Sequence, residues 1–334
     1  MCAKNRILVG IAFLLLTLVP ASQAAEKVKF ATDWILHSPD AFLFIAREKG
    51  FYQKAGFDVT INRGRGSGNT IKWVSIRSFD FGFADTGALV AGRAKDARAK
   101  EIAMVYGRAP HMLYSLKGSG VRSPKDLEGR TIGASPGAAS YRIFGALAAL
   151  AGFDAAKVKF LFMDAPSQLP SLLTGKIDAT INYIIDRPVF AEKARAQNKE
   201  IQGFLWADYG FNAYSNGVIA HDDDIANRPD RVRRFLKATV EGLAYGVDHP
   251  DEAVTLFLRF SPEFSREIAL EQWKITVDLL STPEAKKNGI GYMLPEKMKV
   301  TRDVISQALK LEADVKVEDL YTNQVLPKIF PKSW

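Results

Sequence analysis

Apolar and polar positions alternate in short blocks through the first two thirds of the chain, each block as long as one strand or one helix. Residues 28–31 and 59–62 read as strands, and 41–49 between them as a helix stopped by Gly50. The pattern continues with a helix over 69–78, a strand over 79–84, a helix over 86–97, and strands over 102–106 and 112–116. A turn capped by Ser123 with Pro124 at its first position then restarts the cycle. Strands are expected at 131–134, 158–162 and 179–181, with helices over 138–151, 167–174 and 187–197. This alternation predicts an α/β protein with parallel sheets and crossover helices, and two such units in series predict two lobes. The last third is different. Val232, Phe235, Leu236, Thr239, Val240 and Leu243 recur at helical spacing, and further helices are expected over 250–258, 265–280 and 295–311.

Residues 1–24 have the pattern of an export signal: basic Lys4 and Arg6, an apolar stretch over 7–19, and a small-residue site at Ser22-Gln23-Ala24. The apolar stretch is short for a membrane span. Cys2 is the one cysteine, and cleavage would remove it, leaving no disulfide, thiolate nucleophile or cysteine metal ligand. A hydrophobic content of 47% is enough for the core to carry the fold alone, and ~310 remaining residues suggest about two domains. The formal charge of +8 comes from scattered basic residues with no nucleic-acid motif around them, so they read as solvated helix faces.

The candidate chemistry lies at strand ends, where an open α/β sheet places its ligand. Trp34 follows the first strand and is read either as a surface for stacking a planar ligand or as a core tryptophan. His37 and Asp40, in the same loop, offer polar groups to a heterocycle. Ser67 and Gly68 end a glycine-rich run that lacks the ending of a phosphate loop. Asp85 and Thr86 follow the 79–84 strand, where Asp85 is either an acceptor for an amino group or a helix N-cap. Ser135, Gly137, Ala138 and Ser140 open the helix expected over 138–151, whose free N–H groups would favour an anion or a carbonyl oxygen. Asn182, Tyr183 and Asp186 follow the 179–181 strand, and Tyr214 and Asn216 precede the last one. The four histidines are far apart and lack metal-ligand spacing; no catalytic set, metal site or cofactor motif emerges.

Several segments together resemble one family. They are DW…AFLFIAREKGFYQKAGFDVTI from Asp33, FDFGFADTG from Phe79, SPKDLEGRTIGASPGAASYRIF from Ser123, LTGKIDA from Leu173 and DLYTNQVLP from Asp319. Their order resembles the periplasmic substrate-binding proteins of ABC importers, specifically those for thiamine-pyrimidine precursors, alkanesulfonates, taurine and nitrate. The resemblance implies a two-lobed periplasmic binding protein fold (type II), with a two-strand hinge near 113–117 and 216–220 and a helical C-terminal section. Lobe 1 would be 25–115 plus 217–334, and lobe 2 would be 116–216. It also implies a periplasmic, monomeric receptor that closes over a small molecule and docks on a membrane permease and, through it, an ATPase. The ligand expected first is an amino-heterocycle such as a thiamine-precursor pyrimidine. The alternative is an anion, for which relatives use the position of 135–140. Pyrimidine-precursor synthases share the fold but use a cysteine-rich motif and pyridoxal phosphate, and this chain offers neither that motif nor a cysteine beyond Cys2.

Overall fold

A computed structural model describes residues 24–334, so the export signal, except its last residue, lies outside the described residues. Among the described residues, ten strands form two five-stranded sheets. They are β1 (Glu26–Ala31), β2 (Phe57–Asn62), β3 (Phe81–Asp85), β4 (Ala99–Met104), β5 (His111–Leu116), β6 (Thr131–Ala134), β7 (Lys159–Phe162), β8 (Ala179–Tyr183), β9 (Ile201–Leu205) and β10 (Asn216–His221). The first sheet runs β2-β1-β3-β10-β4 and the second β7-β6-β8-β5-β9. The two-lobed α/β architecture is therefore as expected, and the C-terminal section is helical, with Pro229–Asp248, Pro250–Leu258, Arg266–Leu280 and Pro295–Leu309 as its longest members. Among the described residues, no helix is long and apolar enough to cross a membrane.

The sheets are mixed, not parallel as the alternation predicted. β10 is antiparallel to β3 and β4, and β5 is antiparallel to β8 and β9. Both are strands entered from the other lobe, without the crossover helix that would align them with their neighbours. The hinge also lies elsewhere than expected on its first side. β5 belongs wholly to the second sheet, where Leu113 and Tyr114 are fully buried, so 113–117 is not the crossing. The chain crosses at 105–110, where Gly107 and Pro110 suit a bend better than a strand interior. It returns just before β10. The two crossings hydrogen-bond side by side: Val105 and Tyr106 donate to the Asn216 carbonyl, and Ser215 donates to that of Tyr106, at 2.8–3.0 Å.

Aromatic packing anchors the C-terminal helices to the first sheet. Phe235 stacks on Phe81 at 3.8 Å and on Tyr52 at 5.2 Å, beneath β1 and β3. Burying side chains of this size supplies roughly 1.5–3 kcal/mol each, which fixes the helix Pro229–Asp248 on the sheet. The helix expected over 138–151 is two shorter ones, Ala139–Arg142 and Phe144–Ala151, divided at Ile143 (φ −108°, ψ 12°). A β-branched residue and Gly145 weaken the helix there.

Candidate functional site

A cavity between the lobes offers about 500 Å³ of space not filled by atoms, part of it open to solvent. The first lobe supplies Asp33, Trp34, His37, Pro39, Asp40, Ser67 and Tyr106; the second supplies Ala138, Ala139, Ser140, Ile181, Asn182, Tyr183, Ile185 and Asp186. The strand-end rule explains this set. Asp33 and Trp34 follow β1, Tyr106 follows β4, Tyr183 ends β8 and Ile185 and Asp186 follow it, so all stand at strand ends around the same gap.

Local hydrogen bonds hold these side chains in place. Thr32 Oγ1 donates to the Trp34 carbonyl at 2.9 Å and accepts from the Gly64 amide. The Gly66 amide donates to the Asp33 carbonyl at 2.6 Å, so the 63–66 loop is tied to the 32–34 loop. The His37 amide donates to Asp40 Oδ2 at 2.9 Å. Asn182 Nδ2 donates to Gln168 Oε1 and Thr180 Oγ1 at 2.9 and 3.1 Å, which fixes that amide against the cavity wall. A chain of bonds links the lobes: Tyr183 Oη donates to Asn216 Oδ1 at 2.9 Å, and Asn216 Nδ2 donates to Asp33 Oδ2 at 2.6 Å.

The cavity is acidic. Three carboxylates and one imidazole line it, and no lysine or arginine does. Burial, reinforced by the Asp40 charge, pushes the Asp33 carboxyl up to about 8 despite the bond from Asn216. Burial likewise pushes Asp40 up to about 6, against the opposing pull of the His37 amide. Burial alone would lower the His37 imidazole, but the charge and hydrogen bond of Asp186 outweigh it, so its pKa is raised. His37 Nε2 lies 3.1 Å from Asp186 Oδ1, an ion pair that spans the two lobes.

A second junction closes the rim. The Gly68 amide donates to the Gly137 carbonyl at 3.3 Å across the lobes. A Cβ on Gly137 would sit 2.6 Å from the Arg65 carbonyl oxygen, and one on Gly66, where φ is +109°, would sit 2.2 Å from the Gly137 carbonyl. Only glycine permits this backbone approach.

Of the residues expected from the sequence, Trp34, His37, Asp40, Ser67, Ala138, Ser140, Asn182, Tyr183 and Asp186 meet at this cavity. The others do not line it. Asp85 is fully buried; its Oδ1 caps the next helix through the Ala88 amide and its Oδ2 accepts from Ser215 Oγ at 2.6 Å. Thr86 donates to the Ser215 carbonyl at 2.6 Å. Tyr214 is turned away to Glu284, at 3.2 Å. Asn216 acts from behind, through Asp33. Gly68 and Gly137 form the rim, and Ser135 Oγ donates to the Met163 carbonyl at 2.7 Å. The Ser135–Ser140 segment opens a helix of only four residues, too short for the dipole expected of it. Asp33, Tyr106, Pro39, Ala139, Ile181 and Ile185 are additional. The rule that selected Trp34 would have found Asp33 and Tyr106, since both directly follow strands.

Comparison with known proteins agrees with this architecture. The chain is 27% identical to the riboflavin-binding protein RibY of Chloroflexus aurantiacus, over 93% of this chain and 90% of that one. It is 25% identical to the formylaminopyrimidine-binding protein of Halalkalibacterium halodurans, over 80% of this chain and 82% of that one. Its fold matches the alkanesulfonate-binding protein SsuA from Xanthomonas axonopodis pv. citri, solved bound to MOPS, with a TM-score of 0.69 at 13% identity over 90% and 99% of the two chains. The profile of proteins described as NMT1/THI5 like matches residues 39–253, more than half of the sequence, and the chain belongs to that family.

Proposed function

We propose that this protein is the solute-binding component of an ABC importer, working in the periplasm, and that it captures a planar heterocycle bearing amino groups. The observation that carries this reading is the cavity lining: aromatic rings of Trp34, Tyr106 and Tyr183 beside Asp33, Asp40 and Asp186, with no basic side chain except His37. Carboxylates accept hydrogen bonds from exocyclic amines and favour a protonated ring nitrogen, while the aromatic faces take the ring. Asp33, pushed up to about 8, is mostly protonated at neutral pH, but a bare anion would still meet the Asp40 and Asp186 carboxylates in the same space, which argues against the sulfonate or nitrate alternative as the occupant of the inner cavity. The formylaminopyrimidine-binding relative supports an amino-heterocycle. A binding role rather than catalysis fits a site whose lobes meet around it. The work done is closure: ligand contacts from both lobes favour the closed form, and that form would be presented to the permease.

A thermal-shift panel of aminopyrimidines, flavins, sulfonates, nitrate and aromatic carboxylates tests this reading. A ligand at about 100 times its Kd adds about 2.7 kcal/mol of stability. Stabilisation by aminopyrimidines is the expected result. Stabilisation confined to sulfonates or nitrate would overturn it.

A further inference from the structure

Outside Trp34 lies a second, open cavity of the opposite charge. It shares Trp34 with the inner cavity and is lined by Arg63, Arg65, Arg142, Asn69 and the Ser135–Gly137 backbone, with Asp164 its one acidic side chain. The arginines come from both lobes: Arg63 and Arg65 from the loop after β2, Arg142 from the second lobe. The Arg142 guanidinium crosses the gap to lie against Gly68, where a Cβ would be 2.1 Å from Nε. Other arginines near the first sheet are paired with carboxylates: Arg77 with Asp223 and Asp224, Arg93 with Asp222, Arg231 with Asp80. Among the described residues, Arg63, Arg65 and Arg142 make no ion pair with a carboxylate within 4 Å. Lobe closure therefore gathers three cations at one rim, with Asp164 the one acidic side chain among the lining residues.

We infer that the ligand is bipolar: an amino-heterocycle that carries an anionic substituent, with a phosphate ester as the favoured form. This rests on the reading of the inner cavity given above. The amino end would occupy the carboxylate cavity, the ring would lie on Trp34, and the anionic group would emerge among the three guanidinium groups. Guanidinium forks match tetrahedral oxyanions in charge and hydrogen-bond geometry. The same arrangement excludes a bare anion from the inner cavity and a doubly cationic solute from the rim.

The test compares 4-amino-5-hydroxymethyl-2-methylpyrimidine with its phosphate ester by titration calorimetry, on the wild-type protein and on the triple variant Arg63→Gln, Arg65→Gln, Arg142→Gln. The ester is expected to bind at least about tenfold more tightly to the wild type at low ionic strength, and salt should shrink that ratio. In the triple variant the ratio should fall towards one. Equal affinities in the wild type would overturn the inference and leave the amino-heterocycle reading standing. A preference that survives in the triple variant would remove it from these arginines. Failure of both compounds to bind would overturn both readings.

Discussion

Gly137→Ala isolates lobe closure from folding. The new methyl group would lie 2.6 Å from the Arg65 carbonyl oxygen, well inside ordinary van der Waals contact, and against Asn69 Nδ2 at the same distance. Asn69 can swing aside. The Arg65 carbonyl cannot, because the neighbouring Gly64 and Gly66 amides are tied to the Trp34 and Asp33 carbonyls. Both contacts belong to the opposite lobe, so they arise only when the lobes meet. Gly137 itself has no positive φ, so alanine adds no backbone strain to either form. Overpacking of this kind costs about 1–3 kcal/mol. Placed on the closed form alone, it weakens ligand binding by about 5- to 150-fold. Calorimetry with the ligand found by the thermal-shift panel measures the loss, and the ligand-free thermal midpoint checks that folding is intact. An affinity within twofold of the wild type would refute the reasoning, as would a loss matched by a fall in ligand-free stability.

Three further outcomes are expected. Trp34→Ala should weaken binding by roughly 1–3 kcal/mol in calorimetry, the scale of a buried aromatic contact; unchanged affinity would mean that the ring only packs. Asp33 and Asp40 have raised pKa values, and so does His37, so the folded cavity binds protons more tightly than the unfolded chain does. Their contribution is therefore greatest at low pH, and for Asp33 it is lost as pH rises from about 4 to about 8. Thermal midpoints between pH 5 and 9 should fall less steeply in Asp33→Asn than in the wild type, and identical slopes would sink the assignment. Arg231→Ala should cost about 1–2 kcal/mol in denaturant unfolding, because it removes a buried side chain and its bonds to Asp80 and Glu26, whose partly exposed carboxylates regain water; a loss below about 0.5 kcal/mol would show the network to be energetically idle.

The elements were readable in the sequence because each carries its own punctuation. Gly50 and Gly152 stop helices, and Ser123 with Pro124 opens a turn. Strand direction was not readable, since an alternating or apolar run looks the same in either orientation; β5 and β10 take theirs from the lobe they enter. β9 escaped notice because Gln202 and Gly203 interrupt its apolar residues. At the site, types and positions were legible where several polar residues gather at one strand end, as with Asn182, Tyr183 and Asp186. Which way a strand-end side chain turns was not. Asp85 has the position of a ligand acceptor and the geometry of an N-cap, and only its neighbours Ala88 and Ser215 decide between them. The acidity of the cavity depends on residues from separate segments converging, which no local pattern encodes.

The C-terminal helix Pro295–Leu309 touches both lobes. Ile305 lies by Gly87 on the helix after β3, alongside Ile143 of the second lobe, and Leu309 packs over Gly145. Thr301 Oγ1 accepts from the Tyr214 amide, beside the returning hinge crossing. The protein therefore resembles a bound book more than a clam: this helix is a spine that both pages hold, and the glycine rim beside Trp34 is an edge at which they meet. Lengthening or stiffening the spine should tune how wide the book opens without altering a single word printed inside it.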